Sequence, residues 1–332
     1  MVLVIESALN QIHKNLSLEK ALLATSKEPL LFLWRNRDCV VIGRNQNPHS
    51  ECNLPLLKRD GIDLCRRRSG GGCVFQDLDN SVYTFAVPMP RDSAGLKATN
   101  NSVLADTLYK LTGKRPEISG RNDLLMDGAK ISGAAFKETP DKALHHGCLI
   151  RNSILDKIPV YLTPSPLKFV DKAGTDSVRQ RVTSLLECSG KRVSHREFSE
   201  VLAQCFAERY GPVSRRVSVQ REEDVGKTAE SELAAAATLK AYEAELAELT
   251  DPVWTFGATA PFSVASGVKT EKGLLELRFK VERDTVTDLQ IFTDALETGW
   301  AENLLQRLRP RVCGLDIKSA QKFVRRPTLF SC

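Results

Sequence analysis

The sequence predicts an α/β protein that contains both strands and helices along its whole length. The apolar runs Leu30–Trp34 and 40–43 have the length and composition of buried strands. The stretch 97–112 repeats its apolar residues every three or four positions, which is the spacing of an amphipathic helix. Asp127-Gly128 between two apolar runs is the signature of a tight β-hairpin. The class is therefore α/β (α+β).

The remaining elements follow from the same rules, with glycine marking helix ends and alternation marking strands. The predicted helices are 16–24, 53–60 ending at Gly61, 97–112, 196–210 ending at Gly211, 230–249 and 297–308. The predicted strands are Leu30–Trp34, 40–43, a run from Cys73 to Phe85, 121–127, 130–136, 147–152, 274–282 and Thr285–Thr293. Residues 219–227 are the segment expected to lack structure.

Length and composition indicate the number of domains and exclude some classes of function. A chain of 332 residues with 42% hydrophobic and 27% charged residues is expected to form about two globular domains. We place the boundary at residues 1–249 and 250–332, after the long Ala-rich helix. No apolar run reaches the ~18 residues of a membrane span, so no membrane association is expected. The net charge of +6 is too small to indicate nucleic-acid binding.

The segment Arg66-Arg67-Arg68-Ser69-Gly70-Gly71-Gly72 predicts an anion-binding loop. Arginine offers planar donors, and glycine lets a ligand approach the backbone N–H groups closely. The strand that follows, through Cys73, Val74 and Phe75, gives the loop a fixed base. The spacing fits neither a Walker loop nor a dinucleotide-binding fingerprint. The alternative is a flexible turn without a ligand.

A second group of polar residues surrounds the predicted hairpin. Asn122 and Asp123 precede the Asp127-Gly128 turn, and Lys130 opens the return strand. The small residues 132–135 that follow leave room for a ligand beside the lysine. The alternative is a solvated lysine on an edge strand.

Cysteine and histidine give weaker signals. The chain has nine cysteines. They show no C-x-x-C pair or zinc spacing, so a reducing compartment is expected. Cys73 and Cys148 are expected to be packing residues. His145 and His146 are adjacent on a predicted strand entry, so one ring should face the site and the other away. We expect both to be structural or supporting residues.

The combination of R-R-x-S-G-G-G with K-I-S-G resembles the lipoate–protein ligases and related lipoyltransferases of the biotin/lipoate protein ligase superfamily. The resemblance runs from about Asn15 onward and includes residues 40–48, 119–137 and 177–185. It implies a catalytic domain with a mixed sheet and flanking helices, followed by a small C-terminal α/β domain.

The resemblance also implies site residues. Lys130 matches the lysine that contacts the lipoyl carbonyl and the α-phosphate, and Asp123 matches a contact to phosphate and Mg²⁺. The implied contacts to lipoate and ATP are Arg67, Ser69, Gly70, Gly71, Gly72, Cys73, Val74, Phe75, Asn122 and Asp123. The segment 168–181 matches the loop that orders over the adenylate, and Gly174, Ser177, Arg179 and Arg181 suit that role.

The implied reaction has two steps. Lipoate and ATP form lipoyl-AMP, and a lysine of an acceptor protein then takes the lipoyl group. The implied acceptors are E2 subunits of 2-oxoacid dehydrogenases and the glycine-cleavage H protein, and the modest positive charge suits ATP and an acidic carrier. A monomer in an intracellular compartment is expected, mitochondrial in a eukaryote or cytoplasmic in a bacterium.

Two positions depart from the family pattern H-D-x-G-N. This chain has Gln76 in place of the histidine and Asp79 in place of the glycine. Glutamine cannot carry a proton charge, which keeps open a lipoyltransferase that uses preformed lipoyl-AMP. Further alternatives are a cysteine-thioester mechanism, a catalytically silent scaffold, biotin ligation, which the combination of R-R-x-S-G-G-G with K-I-S-G disfavours, and, last, nucleic-acid binding.

Overall fold

The computed structural model describes residues 1–89, 95–119, 123–139, 141–152, 155–163, 182–256, 264–282 and 285–324. The chain divides into two compact units. The first unit comprises Met1–Cys39, Phe75–Pro159 and Asp176–Thr250; the second comprises Val40–Val74, Val160–Thr175 and Asp251–Cys332. Both are discontinuous in sequence, and the last segment of the first unit ends at Thr250. The division into a catalytic domain, 1–249, and a small C-terminal domain, 250–332, stays a prediction.

The described residues form both strands and helices, as the sequence predicted. The strands are β1 (Val2–Ser7), β2 (Leu30–Trp34), β3 (Cys39–Ile42), β4 (Asp63–Arg66), β5 (Val74–Gln76), β6 (Asn80–Pro88), β7 (Glu117–Ser119), β8 (Asp123–Met126), β9 (Ala129–Glu138), β10 (Lys142–Ile150), β11 (Val213–Val219), β12 (Val264–Thr270), β13 (Gly273–Glu282) and β14 (Thr285–Thr293). The helices are α1 (Ile12–Thr25), α2 (Pro48–Glu51), α3 (Leu54–Asp60), α4 (Leu96–Thr112), α5 (Ile158–Tyr161), α6 (Leu185–Ser189), α7 (His195–Tyr210), α8 (Glu232–Thr250), α9 (Pro252–Phe256), α10 (Trp300–Val312) and α11 (Ile317–Val324).

The described part of the first unit is built on an eight-stranded mixed sheet of order β11-β1-β2-β6-β10-β9-β8-β7. Strand β1 runs parallel to both β11 and β2. The neighbouring strands in the rest of the sheet, in the order β2-β6-β10-β9-β8-β7, all pair antiparallel. The mixed sheet implied by the resemblance is therefore present.

One face of this sheet carries the hydrophobic core. Inward side chains of the strands, among them Phe85, Leu124 and Ile131, pack with α4 and α7 in a single buried cluster. Helix α4 contributes Val103, Leu104, Leu108 and Leu111, the predicted apolar stripe. Burying each large side chain stabilises the fold by roughly 1.5–3 kcal/mol, so this face supplies most of the rigidity behind the site.

The opposite face is partly covered by α1, with α8 packed on α1 through a 3.0 Å hydrogen bond from Thr238 to Thr25. Glu19 of α1 accepts a hydrogen bond from Thr84 at 2.6 Å and lies 2.8 Å from Nδ1 of His146. All three polar side chains are buried, so this network fixes α1 on the sheet.

The described part of the second unit contains a three-stranded sheet of order β12-β13-β14, and a further three-stranded sheet has the order β4-β3-β5. Strands β13 and β14 and helices α10 and α11 share a buried core. Helix α3 begins at the cap Asn53 and ends at Gly61, whose φ of 65° is left-handed, as the sequence predicted.

Several boundaries differ from the prediction. Strand β10 begins at Lys142 rather than 147, so the paired histidines lie in mid-strand and not at its entry. The predicted run 73–85 is interrupted by a turn between β5 and β6. Residues 219–227 are ordered, because β11 is followed by the 3-10 helix Glu222–Thr228, in which Asp224 accepts from the backbone of Gln220 and Arg221. The strands that were missed are β1, β4, β7, β11 and β12, and the helices that were missed are α2, α5, α6, α9 and α11.

No helix within the described ranges is both long and apolar enough to cross a membrane.

Gly147 has a packing role that gives a testable prediction. A Cβ at this position would lie 2.1 Å from Oη of Tyr83 and 2.9 Å from the carbonyl oxygen of Gly133. Tyr83 is buried in the core, so neither neighbour can move freely. We expect Gly147→Ala to lower the free energy of unfolding by about 1–3 kcal/mol, measured by urea denaturation. Gly299→Ala is the control, because its Cβ would meet no atom within 4 Å. Equal stability of Gly147→Ala and wild type would contradict the packing role.

Candidate active site

The hairpin of β8 and β9 forms as predicted. Asp127 and Gly128 at the turn have φ of 52° and 80°, the left-handed pair of a type I′ turn. The register shifts between Leu124 and Leu125, which pair with Ser132 and Lys130, so Ile131 is an extra residue in β9. This β-bulge changes the alternation of side chains ahead of the glycine of K-I-S-G.

Lys130 and Asp123 form an ion pair on the face of the sheet opposite the main core. Lys130 Nζ lies 2.7 Å from Asp123 Oδ1, and the two side chains are 34% and 33% exposed. The backbone carbonyl of Lys130 accepts a hydrogen bond from Thr183 at 2.9 Å. The lysine is thus a partly exposed, oriented cation on an internal strand of the sheet, which differs from the alternative of a solvated lysine on an edge strand.

Small residues surround this pair on the sheet. Asp123 pairs with Gly133, and Gly133 pairs with Cys148 on β10, so the three lie in one row across the strands. The thiol of Cys148 donates to Asn80 at 3.4 Å. Burial, assisted by the charge of Asp77, raises the pKa of Cys148 to about 12. A thiol with so high a pKa is a poor nucleophile, which disfavours the cysteine-thioester mechanism.

Gln76 belongs to a buried chain of amides. Its Oε1 accepts from Asn36 at 2.7 Å, Asn36 accepts from Asn15 at 3.0 Å, and Asn15 accepts from Ser7 at 2.7 Å. All four side chains are buried. The orientation of the Gln76 carboxamide is therefore fixed, because reversing it would oppose two NH₂ groups.

Asp79 occupies the position where the family pattern has glycine. It is not among the described non-glycine residues with positive φ, which are Asn10 and Asp127. Its N–H donates to Asp77 Oδ1 at 3.0 Å, and Asn80 donates to the same oxygen at 2.8 Å. The turn does not require glycine here, so Asp79 introduces no backbone strain.

In the second unit, Arg67 lies inside the glycine loop. Its guanidinium donates to the carbonyls of Gly70 at 2.7 Å, Gly72 at 2.9 Å and Val41 at 3.3 Å, and to Ser69 Oγ at 3.1 Å. The side chain is buried. These contacts give Arg67 the role of a clamp that shapes the loop, which the sequence alone did not reveal.

The neighbouring arginine is also structural. Arg66 donates to five backbone carbonyls, those of Gly43, Arg44, Gln46, Trp254 and Thr255. Burial, with the nearby charge of Arg44, lowers the pKa of Arg66 to about 10. Of the three arginines, Arg68 is the one on the surface, where its guanidinium carbon lies 4.0 Å from the centre of the Trp254 ring.

Close packing explains two of the loop glycines. A Cβ on Gly70 would lie 2.2 Å from the carbonyl oxygen of Ala295, and one on Gly71 would lie 2.8 Å from Nη2 of Arg67. Gly71 also has φ of 95°, which disfavours any other residue. Gly72 has open space around it.

The base of the loop contains two cysteines. Cys73 Sγ lies 3.7 Å from Cys52 Sγ, and burial raises the pKa of Cys73 well above its ordinary range. Cys73 and Cys148 therefore both resemble packing residues, as expected. Val74 is exposed and Phe75 is buried.

Five predicted site residues lie outside the described residues: Asn122, Gly174, Ser177, Arg179 and Arg181. Of the others, the structure brings together Lys130 and Asp123 in the first unit, which also holds Phe75. It brings together Arg67, Ser69, Gly70, Gly71, Gly72, Cys73 and Val74 in the second. Gly133, Asn36 and Arg66 were not singled out as site residues from the sequence; the glycine of K-I-S-G was the signal for the first.

The two histidines face opposite sides of the sheet, as alternation predicted. His146 binds Glu19, whereas His145 packs against Phe136, Phe85 and Tyr83, with a ring-centre distance of 4.2 Å to Phe136. Neither ring nitrogen of His145 has a hydrogen-bond partner among the described residues. Burial, followed by the charges of His146 and Lys97, lowers the pKa of His145 to about 3.

Burial of His145 is expected to make the stability of the fold sensitive to acid. Unfolding restores the ordinary pKa of 6.5, so below that pH the unfolded chain binds a proton that the folded chain does not. Stability is lost as the pH falls, by about 2 kcal/mol between pH 7 and pH 5 from this residue. We expect His145→Phe to remove that part of the loss, measured by urea denaturation at both pH values. An unchanged pH dependence in the variant would contradict this assignment.

Comparison with known proteins identifies the family. The family model of the lipoyl protein ligase A/B catalytic domain matches residues 11–207. The chain belongs to this family. It is 37% identical to a lipoate-protein ligase A of Psychrobacter cryohalolentis over 284 residues, which are 84% of this chain and 78% of the relative. The family predicted from the loop and the K-I-S-G motif is confirmed.

Solved structures agree with this membership. LipL1 of P. falciparum, in complex with lipoate, has a TM-score of 0.72 and 31% identity, and the match covers 92% of this chain and 89% of that one. A lipoate-protein ligase A bound with ATP has a TM-score of 0.61 and 21% identity, covering 77% and 98%. A bipartite ligase of Thermoplasma acidophilum, studied with its E2 lipoyl domain, has a TM-score of 0.64 and 23% identity, and the match covers 79% of this chain and 98% of that one. The last two show the shared fold, so the fold class is confirmed.

Proposed function

We propose that this enzyme attaches lipoate to a lysine of an acceptor protein in an ATP-dependent reaction. Family membership makes the chain a lipoate–protein ligase. The use of ATP rests on the ATP-bound structure that shares this fold. The observation that carries the proposal is the oriented cation Lys130, 2.7 Å from Asp123 on a row of small residues.

In the proposed first step, the lipoate carboxylate attacks the α-phosphate of ATP, which gives lipoyl-AMP and releases pyrophosphate. In the second, the acceptor amine attacks the acyl carbonyl and AMP leaves. Negative charge develops first on the α-phosphate and then on the carbonyl oxygen. The ammonium of Lys130 suits both positions, so no nucleophile from the protein is needed.

Asp123 orients that ammonium and limits its motion. A partly exposed carboxylate also fits the single protein ligand that Mg²⁺ commonly uses together with substrate phosphates. Bound Mg²⁺ would shield the phosphate charge that otherwise repels the incoming carboxylate. We therefore propose Asp123 as the described residue that would hold the metal.

We assign the glycine loop to nucleotide and lipoyl contacts. The clamp by Arg67 supports this role, because it fixes carbonyls of Gly70 and Gly72 on the guanidinium and so holds the loop in one shape. The contacts assigned to Ser69, Gly71, Cys73, Val74 and Phe75 are part of the same proposal. So are those of Asn122, Gly174, Ser177, Arg179 and Arg181.

We propose lipoyl-domain proteins as the acceptors, with E2 subunits and the glycine-cleavage H protein as the specific candidates. The archaeal ligase studied with its E2 lipoyl domain supports that class of partner. The bacterial relative favours a cytoplasmic enzyme, and we propose a monomer.

One observation keeps a second function in view. Gln76 replaces the family histidine, and Asn36 fixes its carboxamide in a single orientation. If that position must carry charge to hold pyrophosphate, the enzyme would transfer lipoate only from preformed lipoyl-AMP.

A single assay separates these functions. A purified lipoyl domain is incubated with the enzyme and either lipoate plus Mg-ATP or preformed lipoyl-AMP, and its intact mass is measured. A mass increase of one lipoyl group in both reactions is expected. An increase with lipoyl-AMP alone would show a transferase, and no increase with E2 or H-protein acceptors would overturn the proposal.

A further inference from the structure

The β-bulge at Ile131 determines which face of the sheet Lys130 occupies. With plain alternation, Lys130 would share a face with Ser132 and not with Gly133. Because Ile131 is an extra residue, Lys130 pairs with Leu125, and Leu125 lies on the same face as Asp123. The bulge therefore moves the ammonium to the side of the carboxylate.

The core holds the bulge in place. Ile131 is fully buried and packs in the same cluster as Leu124 and Met126 of the paired strand. A shift of β9 by one residue would expose Ile131 and bury the charge of Lys130. Both changes are unfavourable, so the register is strongly specified.

Gly133 provides the space in which the lysine side chain lies. A Cβ on Gly133 would be 2.7 Å from Nζ and 2.8 Å from Cε of Lys130, and 3.6 Å from Asp123 Oδ1. Gly133 is not among the glycines with positive φ, so its backbone conformation does not require glycine. The requirement at this position is the absence of a side chain.

We propose that Gly133 is a positioning residue for Lys130, acting together with the Ile131 bulge. The bulge sets the face, and the bare backbone of Gly133 lets the lysine extend across it to Asp123. This inference rests on the proposed function, because it assigns a role to Gly133 through Lys130. Gly133 itself needs no contact with substrate.

The expected effect of Gly133→Ala follows from this geometry. The atoms nearest to the new methyl group belong to the flexible end of Lys130, so the side chain moves and the fold is kept. Displacing a charge-stabilising group by ~1 Å costs on the order of 10²-fold in rate. We expect single-turnover transfer from lipoyl-AMP to fall by about that factor, with thermal stability close to wild type.

A double-mutant cycle tests whether Gly133 acts through the lysine. The dissociation constant of a stable sulfamate analogue of lipoyl-AMP is measured by calorimetry for wild type, Gly133→Ala, Lys130→Ala and the double variant. Gly133→Ala should weaken binding of the analogue about 10-fold when Lys130 is present and less than about 2-fold when Lys130 is replaced by alanine. Gly95→Ala is the matched control, because its Cβ would meet no atom within 4 Å.

The outcomes are distinct. If Gly133→Ala weakens binding equally in both backgrounds, the methyl group acts on the ligand or the fold, and the positioning role is overturned. If Lys130→Ala impairs transfer but Gly133→Ala does not, the proposed function stands and this inference fails alone. If Lys130→Ala has no effect on binding or transfer, both fail.

Discussion

Replacing Lys130 with alanine is expected to abolish transfer of lipoate even when preformed lipoyl-AMP is supplied. The lysine is the cation that would neutralise charge on the acyl carbonyl, and removing such a donor costs ~10²–10³-fold in rate. The activation step should fall as well, because the same ammonium would serve the α-phosphate. Transfer is measured by single-turnover mass spectrometry of a lipoyl domain.

A matched control is available on the same unit. Lys114 Nζ lies 3.0 Å from Asp127 in an exposed ion pair, with side chains that are 48% and 63% exposed. Lys114→Ala removes the same functional group and a comparable pair, yet it should leave transfer unchanged. Near wild-type transfer by Lys130→Ala would remove Lys130 from the mechanism, and equal losses in both variants would indicate a general effect of charge.

Features that depend only on residues adjacent in the chain could be predicted from the sequence. The Asp127-Gly128 turn requires two left-handed residues, and aspartate followed by glycine supplies them locally. Helix α3 ends at Gly61 for the same kind of reason. The family motifs then linked the hairpin lysine to the glycine loop. The strands β1 and β11 were missed because pairing across more than 200 residues leaves no local signal.

The parts that could not be predicted depend on long-range packing. The Ile131 bulge exists because β9 must satisfy both its core face and its pairing with β8, and a single strand does not show that conflict. The role of Arg67 was also hidden. Three consecutive arginines indicate anion binding, but burial leads two of them to bind backbone carbonyls.

The departure at Gln76 illustrates the same limit. From the sequence, the loss of histidine suggested weakened activation. In the structure, the Gln76 carboxamide is part of a buried, hydrogen-bonded amide chain that begins at Ser7. The replacement is therefore accommodated without an unsatisfied buried group, and the Asp79 change is accommodated without strain. Both observations favour a full ligase over a silent scaffold.

Replacing Arg67 with alanine is expected to collapse the glycine loop. The change leaves the buried carbonyls of Val41 and Gly70 and the partly buried carbonyl of Gly72 without this donor, and each unsatisfied buried group costs about 1–3 kcal/mol. We expect faster hydrogen exchange in residues 66–76, a loss of at least about 3 kcal/mol in local stability and no measurable binding of ATP by calorimetry.

Arg67→Lys separates charge from shape. Lysine keeps the positive charge but lacks the planar fork that reaches three carbonyls together, so most of the loss should remain. Arg59→Lys is the control, since Arg59 is 67% exposed and pairs with Asp60 at 2.7 Å on the surface of the same unit. If Arg67→Lys binds ATP as tightly as wild type, charge alone would suffice, and the clamp would have no part in binding. Loss in Arg67→Lys with normal binding in Arg59→Lys would show that the geometry of the guanidinium, and not its charge, prepares the loop for its ligand.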